Sequence, residues 1–339
     1  MSKRLGAIAM LVAAVAATAG LLASISSGAA QAQPAIGLVV LTDDSSHSYI
    51  ETGGQAAAAA LGDQLVVKET PSGSEAAAIE SLIAQHVAAI AVEKFENDPA
   101  VDSAVSQALA QARKANIDTL SFGGRYPGSL WVNPSTAAEY AHALADAVAL
   151  QMKQRGRFVI VPCAPANPIV GTWLKLIKAY VQHRYPRMHR VGVVTGGDGN
   201  GPAGSLLLRP LLRKHPRLRG LIFLCQDEAY NGPPQLIRLH KVGKVFSSGN
   251  GESNAPPVVE PWRTSIRLGA EEVVVPSDPA KLGYLAVWAA HPPEDLHFVQ
   301  GPVPVGGPVG TVHYYYHHQE LRLGRPLTIT KANLAQYSG

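Results

Sequence analysis

From Ile36 onward, short apolar runs alternate with longer segments of helical spacing, and this alternation restricts the possible folds more than any other feature. Ile36-Gly37-Leu38-Val39-Val40-Leu41 is apolar without a break, as expected of a strand covered on both faces. A polar loop, Thr42 to Ser48, leads to an Ala-rich helix over about Thr52 to Leu61. Leu65 to Lys68 reads as a second strand. Ser74 to His86 reads as a helix, with Ser74 as N-cap and Ala77, Ile79, Leu82 and Ile83 as its apolar stripe. Ala88 to Val92 is a third strand ending at Glu93-Lys94, Val101 to Ala115 a helix, and Asp118 to Phe122 a fourth strand.

After Trp131-Val132-Asn133-Pro134 the pattern restarts. A helix over Thr136 to Met152 precedes the strand Arg157 to Val161, and a helix runs through Trp173 to His183. The strand Arg190 to Thr195, a Gly-rich loop and a helix around Ala203 to Leu212 follow, then strands at Leu221 to Leu224 and Lys244 to Phe246. Such alternation implies βαβ units with right-handed crossovers and mostly parallel sheets. Two successive sets imply two similar lobes in tandem. The stretch His297 to Gly339 is rich in Gly and Pro and adds no βα unit, so crossing segments and a closing edge are expected there.

Ahead of this pattern, Lys3 and Arg4 precede an apolar stretch from Ile8 to Leu22, and Ala30-Gln31-Ala32 offers small residues at the −3 and −1 subsites of signal peptidase. Residues 1–32 are therefore expected to be a signal peptide cleaved after Ala32. The apolar run is broken by Thr18 and Gly20 and too weak for a stable span, and no cysteine stands near the cleavage site for a lipid anchor. The expected destination is a periplasm. With 47% hydrophobic and 16% charged residues the chain is globular rather than disordered. Its net charge of +4 reflects basic residues concentrated in His183 to Arg219. Tyr185 is the single aromatic residue in that stretch, too few for the aromatic interleaving of a nucleic-acid surface, so the reading is a solvated basic face, with partner docking as the alternative.

Several stretches together resemble a known family, the type I periplasmic solute-binding proteins of sugar-type ABC transporters, and within it the rhamnose- and autoinducer-2-binding branch. They are Ile36–Leu41 with its loop, Trp131-Val132-Asn133 before the Thr136 helix, and Gly171-Thr172-Trp173-Leu174-Lys175. Ser277 to Tyr284 is similar to the family's late helix start, and Leu327 to Tyr337 to that branch's ending. The resemblance implies an α/β fold of two Rossmann-like lobes with parallel sheets, joined by a three-segment hinge. The lobes are expected at 33–133 plus 276–308 and at 134–275 plus 309–339. It also implies a small polar ligand, sugar or sugar-like, an ABC permease as docking partner, no cofactor and a monomer.

In open α/β sheets ligands bind beyond the carboxyl ends of the strands, and two such lobes make a hinged cleft. The candidates are Thr42, Asp43, Asp44 and Ser46; Glu93 and Lys94; Phe122 and Arg125; Asn167; Gln226 and Asp227; Ser248 and Asn250; Glu271 and Glu272. Carboxylates and amides suit paired hydroxyls, and Phe122, Trp131 or Trp173 could cover a sugar's C–H face. The chain departs from the autoinducer-2 branch. No lysine follows the first strand, no aspartate follows the fourth, and Ile169-Val170 stand where an Asp-Gln pair is expected. Autoinducer-2 is therefore disfavoured as ligand. Cys163 and Cys225 end the first and third strands of the second lobe, neighbours in the order 2-1-3-4-5, so the two cysteines are expected close together near the cleft and able to bridge.

Other motifs carry no chemistry. Thr195 to Gly201 is Gly-rich but lacks a Gly-Lys-Ser/Thr ending. His313-Tyr314-Tyr315-Tyr316-His317-His318 would, as a strand, alternate His313, Tyr315 and His317 on one face, yet no carboxylate or cysteine motif completes a metal site. Neither a Gly-x-Ser-x-Gly elbow nor HExxH occurs. The expected function is solute capture for an ABC importer. A ligand sensor feeding a membrane kinase is the alternative, and an exported α/β enzyme a more distant one.

Overall fold

The computed structural model describes residues 35–43, 46–94, 98–162, 168–194, 203–252, 256–291 and 298–337. Residues 1–32, expected to be a signal peptide, and Asp44, Cys163, Asn167 and the loop Thr195 to Gly201 lie outside them. In chain order, β1 (Ala35–Leu41), α1 (His47–Leu61), β2 (Gln64–Thr70), α2 (Glu75–Ala84), β3 (Ala89–Lys94), α3 (Pro99–Lys114), β4 (Asp118–Gly123) and β5 (Leu130–Asn133) form the first set. The second set is α4 (Ala137–Gln151), β6 (Gly156–Val161), α5 (Pro168–Arg184), β7 (Met188–Val193), α6 (Ala203–Lys214), β8 (Leu218–Phe223), α7 (Gln226–Arg238), β9 (Phe246–Glu252), α8 (Pro256–Leu268) and β10 (Val273–Ser277). The chain ends with α9 (Pro279–Ala290), β11 (Gly301–Gly306), β12 (Gly310–Tyr315) and β13 (Glu320–Arg322).

Two sheets result among the described residues. The first runs β11-β12-β13-β5-β4-β3-β1-β2 and the second β10-β9-β8-β6-β7. Leaving aside the three late strands, each follows the expected order 2-1-3-4-5, with every pairing from β1 to β10 parallel. The fold is the α/β architecture of two Rossmann-like lobes that the alternation implied.

The apolar runs explain the layering. Successive side chains of a strand face opposite ways. Ile36, Leu38 and Val40 therefore pack with Ile50, Ala57 and Leu285 of α1 and α9, while Val39 packs with Ile79, Leu82, Val105 and Leu109 of α2 and α3. In the second sheet Phe158 and Ile160 meet the α4–α5 layer, and Val159 and Val161 meet the other helical layer. Each such side chain contributes about 1.5–3 kcal/mol on burial.

The late strands correct the expected lobe boundary. β12 pairs antiparallel with β11 and β13, and β13 pairs parallel with β5, so residues 310–322 extend the first sheet instead of joining the second lobe. The alternating residues of β11 and β12 explain why: Val303, Val305, Val312 and Tyr314 complete the first sheet's core. Only after Arg322 does the chain return, where Leu327, Ile329 and Leu334 pack with Trp262 and Ile266 of α8. Alternation through His318 also fails, because Tyr316–His318 is a 3-10 turn.

Both short crossings between the sheets leave from carboxyl ends of strands, bringing those edges of the two sheets together. From β5 the chain enters α4 through a capping box. Thr136 Oγ1 accepts from Glu139 N at 3.1 Å, and the Glu139 carboxylate accepts from Thr136 N at 3.0 Å. From β10 it enters α9 with Asp278 as N-cap, accepting from Lys281 N at 3.1 Å, and Pro279 in the first turn. Among the described residues no helix is long and apolar enough to cross a membrane.

Candidate functional site

The carboxyl edge of the first sheet carries buried charge that its own architecture consumes. Glu93, the penultimate residue of β3, lies on the α1 side, 3% exposed, and accepts from Leu41 N at 2.8 Å, fastening β3 to the end of β1. Lys94, the next residue, points to the opposite face. Its ammonium lies 2.5 Å from Asp102 and 4.6 Å over the Tyr126 ring. Burial, with Glu75, Asp102 and Glu93 nearby, pushes the Tyr126 phenol well above its ordinary value, so it stays neutral. Asp43 is exposed and accepts from Ser72 N at 3.0 Å, tying the β1 loop to the β2 loop.

Two expectations on this edge need correction or placement. Phe122 is fully buried in the core with Leu120 and Val132, because its position in β4 puts it on the helix-covered face; it is not an exposed platform. Ser46 is buried at the α1 N-cap position without a side-chain capping bond. Arg125 is exposed just beyond β4. Trp131 is half-buried, its indole donating to Gly123 O at 3.1 Å.

The carboxyl edge of the second sheet has a different character, with aromatic faces beside an amide. Trp173, near the start of α5, stacks on Tyr140 in the first turns of α4, with ring centroids 4.5 Å apart and planes at 20°. The Tyr140 hydroxyl donates to Asn250 Oδ1, and Asn250 Nδ2 donates to Leu224 O at 3.4 Å, so β8, β9, α4 and α5 converge on one cluster. Burial raises the Tyr140 pKa far out of reach of neutral pH, leaving the phenol a hydrogen-bond donor. Trp173 keeps partial exposure. Ser248, one register step below Asn250 on the same face, donates to Leu144 O at 2.8 Å and holds α4 against β9; it is structural. Gln226 opens α7 half-exposed beside Cys225, which is disulfide-bonded; the side chain of Asp227 lies outside the described part.

Tyr140 was not among the candidates. Its signal was present, since the capping box Thr136-x-x-Glu139 sets the start of α4 and puts the following aromatic residue at the strand-end side of the lobe.

Glu271 and Glu272 do not belong to this edge. They precede β10, which begins at Val273, and so stand at the amino end of that strand, away from the carboxyl ends. The reason is a strand overlooked in Val273-Val274-Val275-Pro276-Ser277. Glu271 is 1% exposed beside Gly249 and Ala229, both its carboxylate oxygens lack a hydrogen-bond partner among the described residues, and desolvation raises its pKa well above its ordinary value. Burial raises Glu272 as well, with Lys331 pulling the other way. Among the described residues no three His, Cys, Asp or Glu gather into a metal site, and His313 packs against Tyr315 with rings 4.6 Å apart.

One partly exposed indole, stacked on a buried neutral phenol beside an amide, suits a solute with both a C–H face and hydroxyls, and Arg125 adds an exposed guanidinium at the carboxyl edge of the first sheet. These groups do not assemble a nucleophile with a base.

The comparisons with known proteins follow. A family model described as periplasmic binding protein domain matches residues 36–291. No curated protein matches the sequence. Among solved structures, a sugar ABC transporter protein of Actinomyces odontolyticus superposes with a TM-score of 0.79 at 21% identity, over 91% of this chain and 98% of that one. An ABC transporter solute-binding protein of Clostridium phytofermentas with bound L-rhamnose gives a TM-score of 0.65 at 20% identity, over 90% and 98% of the two chains. One from Burkholderia graminis in complex with D-arabinose gives 0.65 at 19% identity, over 91% and 99%.

Proposed function

The chain belongs to the periplasmic binding protein domain family, its matched residues 36–291 reaching from β1 to the end of α9, and from that premise we propose that it captures a small sugar-like solute between its lobes for an ABC importer. The observation that carries this reading is the Trp173–Tyr140 stack with Asn250 at the carboxyl edge of the second sheet. An aromatic face covers the C–H surface of a pyranose or furanose, while the amide addresses its hydroxyls. Arg125, Asp43 and Gln226 supply polar contacts, joined by Asp44, Ser46, Asn167 and Asp227. The structural neighbours with L-rhamnose and D-arabinose support the sugar class.

Closure follows from population shift. A solute that touches both lobes only when they meet favours the closed form by its differential affinity, and a permease would then read the closed surface. We further propose export to the periplasm with cleavage after Ala32, and function as a monomer. N-terminal sequencing of the mature protein tests the cleavage.

A thermal-shift panel of pentoses, hexoses, deoxysugars, polyols and small acids tests the function. At a hundredfold excess over Kd a ligand adds about 2.7 kcal/mol, and a matching sugar should also change the Trp173 fluorescence. If no sugar or polyol moves Tm and a small acid does, the sugar reading fails.

A further inference from the structure

We propose that the amino edge of the second sheet is a docking surface for an anionic lipid bilayer. Between Lys153 and Arg219 the chain carries thirteen Lys and Arg residues against one acid, Asp198, although the whole chain nets only +4. The fold gathers much of this charge onto one end. β7, β6 and β8 are neighbours and start in step, Gly156 opposite Met188 and Arg157 opposite both His189 and Leu218. α4, α5 and α6 end at the same edge, at Gln151, Arg184 and Lys214. Arg155, Arg157, Arg187, Arg190, Lys214 and Arg217 are all exposed there, and among the described residues none forms an ion pair.

Helix ends account for only part of this charge. Arg184, Arg213 and Lys214 stand in last turns, where cations offset the helix dipole. Arg155, Arg157, Arg187, Arg190 and Arg217 lie in turns and strands and answer no such need. A protein partner would call for an apolar centre with interspersed polar groups setting register. Around the starts of β6, β7 and β8 this face instead holds like charges, the acids Glu271 and Glu272 standing at the far strand β10, with Leu150 at the end of α4, 62% exposed and adjoining Lys153. Cations around a projecting leucine match lipid phosphates above an acyl interior, where position along the surface is unimportant. The strands are six residues long, so the face lies about 20 Å from the carboxyl edge and leaves it free.

The test is co-sedimentation of the purified protein with phosphatidylcholine vesicles, with and without phosphatidylglycerol. Binding should require phosphatidylglycerol and fall as salt rises. The triple variant Arg187→Gln, Arg190→Gln, Arg217→Gln should bind about a hundredfold more weakly, each cation being worth about fivefold, with Tm unchanged. Each single variant should lose about fivefold, which keeps the test valid if the triple variant folds poorly. Leu150→Gln should weaken binding while preserving its salt dependence. No binding to phosphatidylglycerol vesicles, equal binding to both vesicle types, or unchanged binding by the variants would overturn the proposal. Capture by immobilised polyglutamate without vesicle binding would also overturn it, in favour of an acidic protein partner.

Discussion

Helices α1 and α9 cross so closely that one added methyl group should measurably destabilise the first lobe. A Cβ built on Gly283 falls 1.9 Å from Ile50 O, and one built on Gly53 falls 1.9 Å from Ala280 O. The two contacts are reciprocal, each glycine lying under the other helix's carbonyl. Ordinary contact begins near 3.4 Å, so Gly283→Ala must part the helices by about 1.5 Å in a core packed at crystal density. Overpacking costs about 1–3 kcal/mol, and a backbone carbonyl cannot rotate away, which puts this case at the upper end. Alanine's better helix propensity returns about 1 kcal/mol. The net is a loss of about 2 kcal/mol, or about 3 °C in Tm for a chain of this size. Gly171→Ala is the control, because in α5 its Cβ would meet nothing within 4 Å among the described residues. It should stabilise by about 0.5–1 kcal/mol. Scanning calorimetry of both variants reads the contrast. If Gly283→Ala melted with or above the parent protein, the close crossing would be refuted.

The other predictions concern the site, the buried acid and the cysteines. Tyr140→Phe removes the hydroxyl that Asn250 accepts and should weaken binding of whichever sugar raises Tm by about tenfold, Trp173→Ala by more, as measured by calorimetric titration. Glu271 has its folded pKa raised above the 4.5 of a free glutamate, so its contribution to stability is full below about pH 4 and falls as pH rises. The Tm of Glu271→Gln should therefore decline less than that of the parent between about pH 5 and pH 8; parallel declines would show that Glu271 is not a neutral buried acid. Cys225 is disulfide-bonded and the chain has two cysteines, so we expect the bond to join Cys163. Reduction should cost about 2–4 kcal/mol, and alkylation of the denatured, unreduced protein should label neither thiol.

The architecture was legible where burial has a simple periodicity. An unbroken apolar run such as Ile36–Leu41 can satisfy only a strand covered on both sides, and several such runs separated by helices leave few topologies. Legibility declined where polarity and burial part company. Glu271 looked like a cleft carboxylate because Pro276 and the preceding acids masked the strand Val273–Ser277. Phe122 looked exposed because a strand's last residues were assumed to face the solute, yet alternation turns it into the core. Lys94 and Glu93 sit side by side in sequence but on opposite faces, and only tertiary packing reveals that Asp102 and Leu41 N engage them. Tyr140 was missed because helix residues after a cap do not fall under a search of strand ends. The boundary at 309 failed for a similar reason: β13 is three residues long, and what places it, and β12 beside it, is pairing with β5, a contact across almost 190 residues of sequence.

That same pairing determines how the lobes can move. β13 lies beside β5 with Arg322 opposite Asn133, so the first and third crossings leave the first sheet as adjacent chains. Asn133 donates to Glu320 at 2.8 Å, and Glu320 accepts from Arg322 Nε at 2.8 Å and Nη2 at 3.2 Å, all three largely buried. Arg322 also lies 4.1 Å over the Tyr315 ring, and against the desolvation of Glu139, the acid of the α4 capping box, its charge adds to the two Thr136 hydrogen bonds that lower the Glu139 pKa. Rotation through either crossing alone would strain this network, so the two must turn together. The freedom left lies in Pro134-Ser135 and in the segment after Arg322, between the fixed network and the capped start of α4. The second crossing is a single capped step from β10 through Asp278 into α9, whose close crossing with α1 ties it to the first lobe. Two coupled chains and one short tether would confine the lobes to bending about a single axis, the motion that the proposed capture of a solute between the carboxyl edges requires.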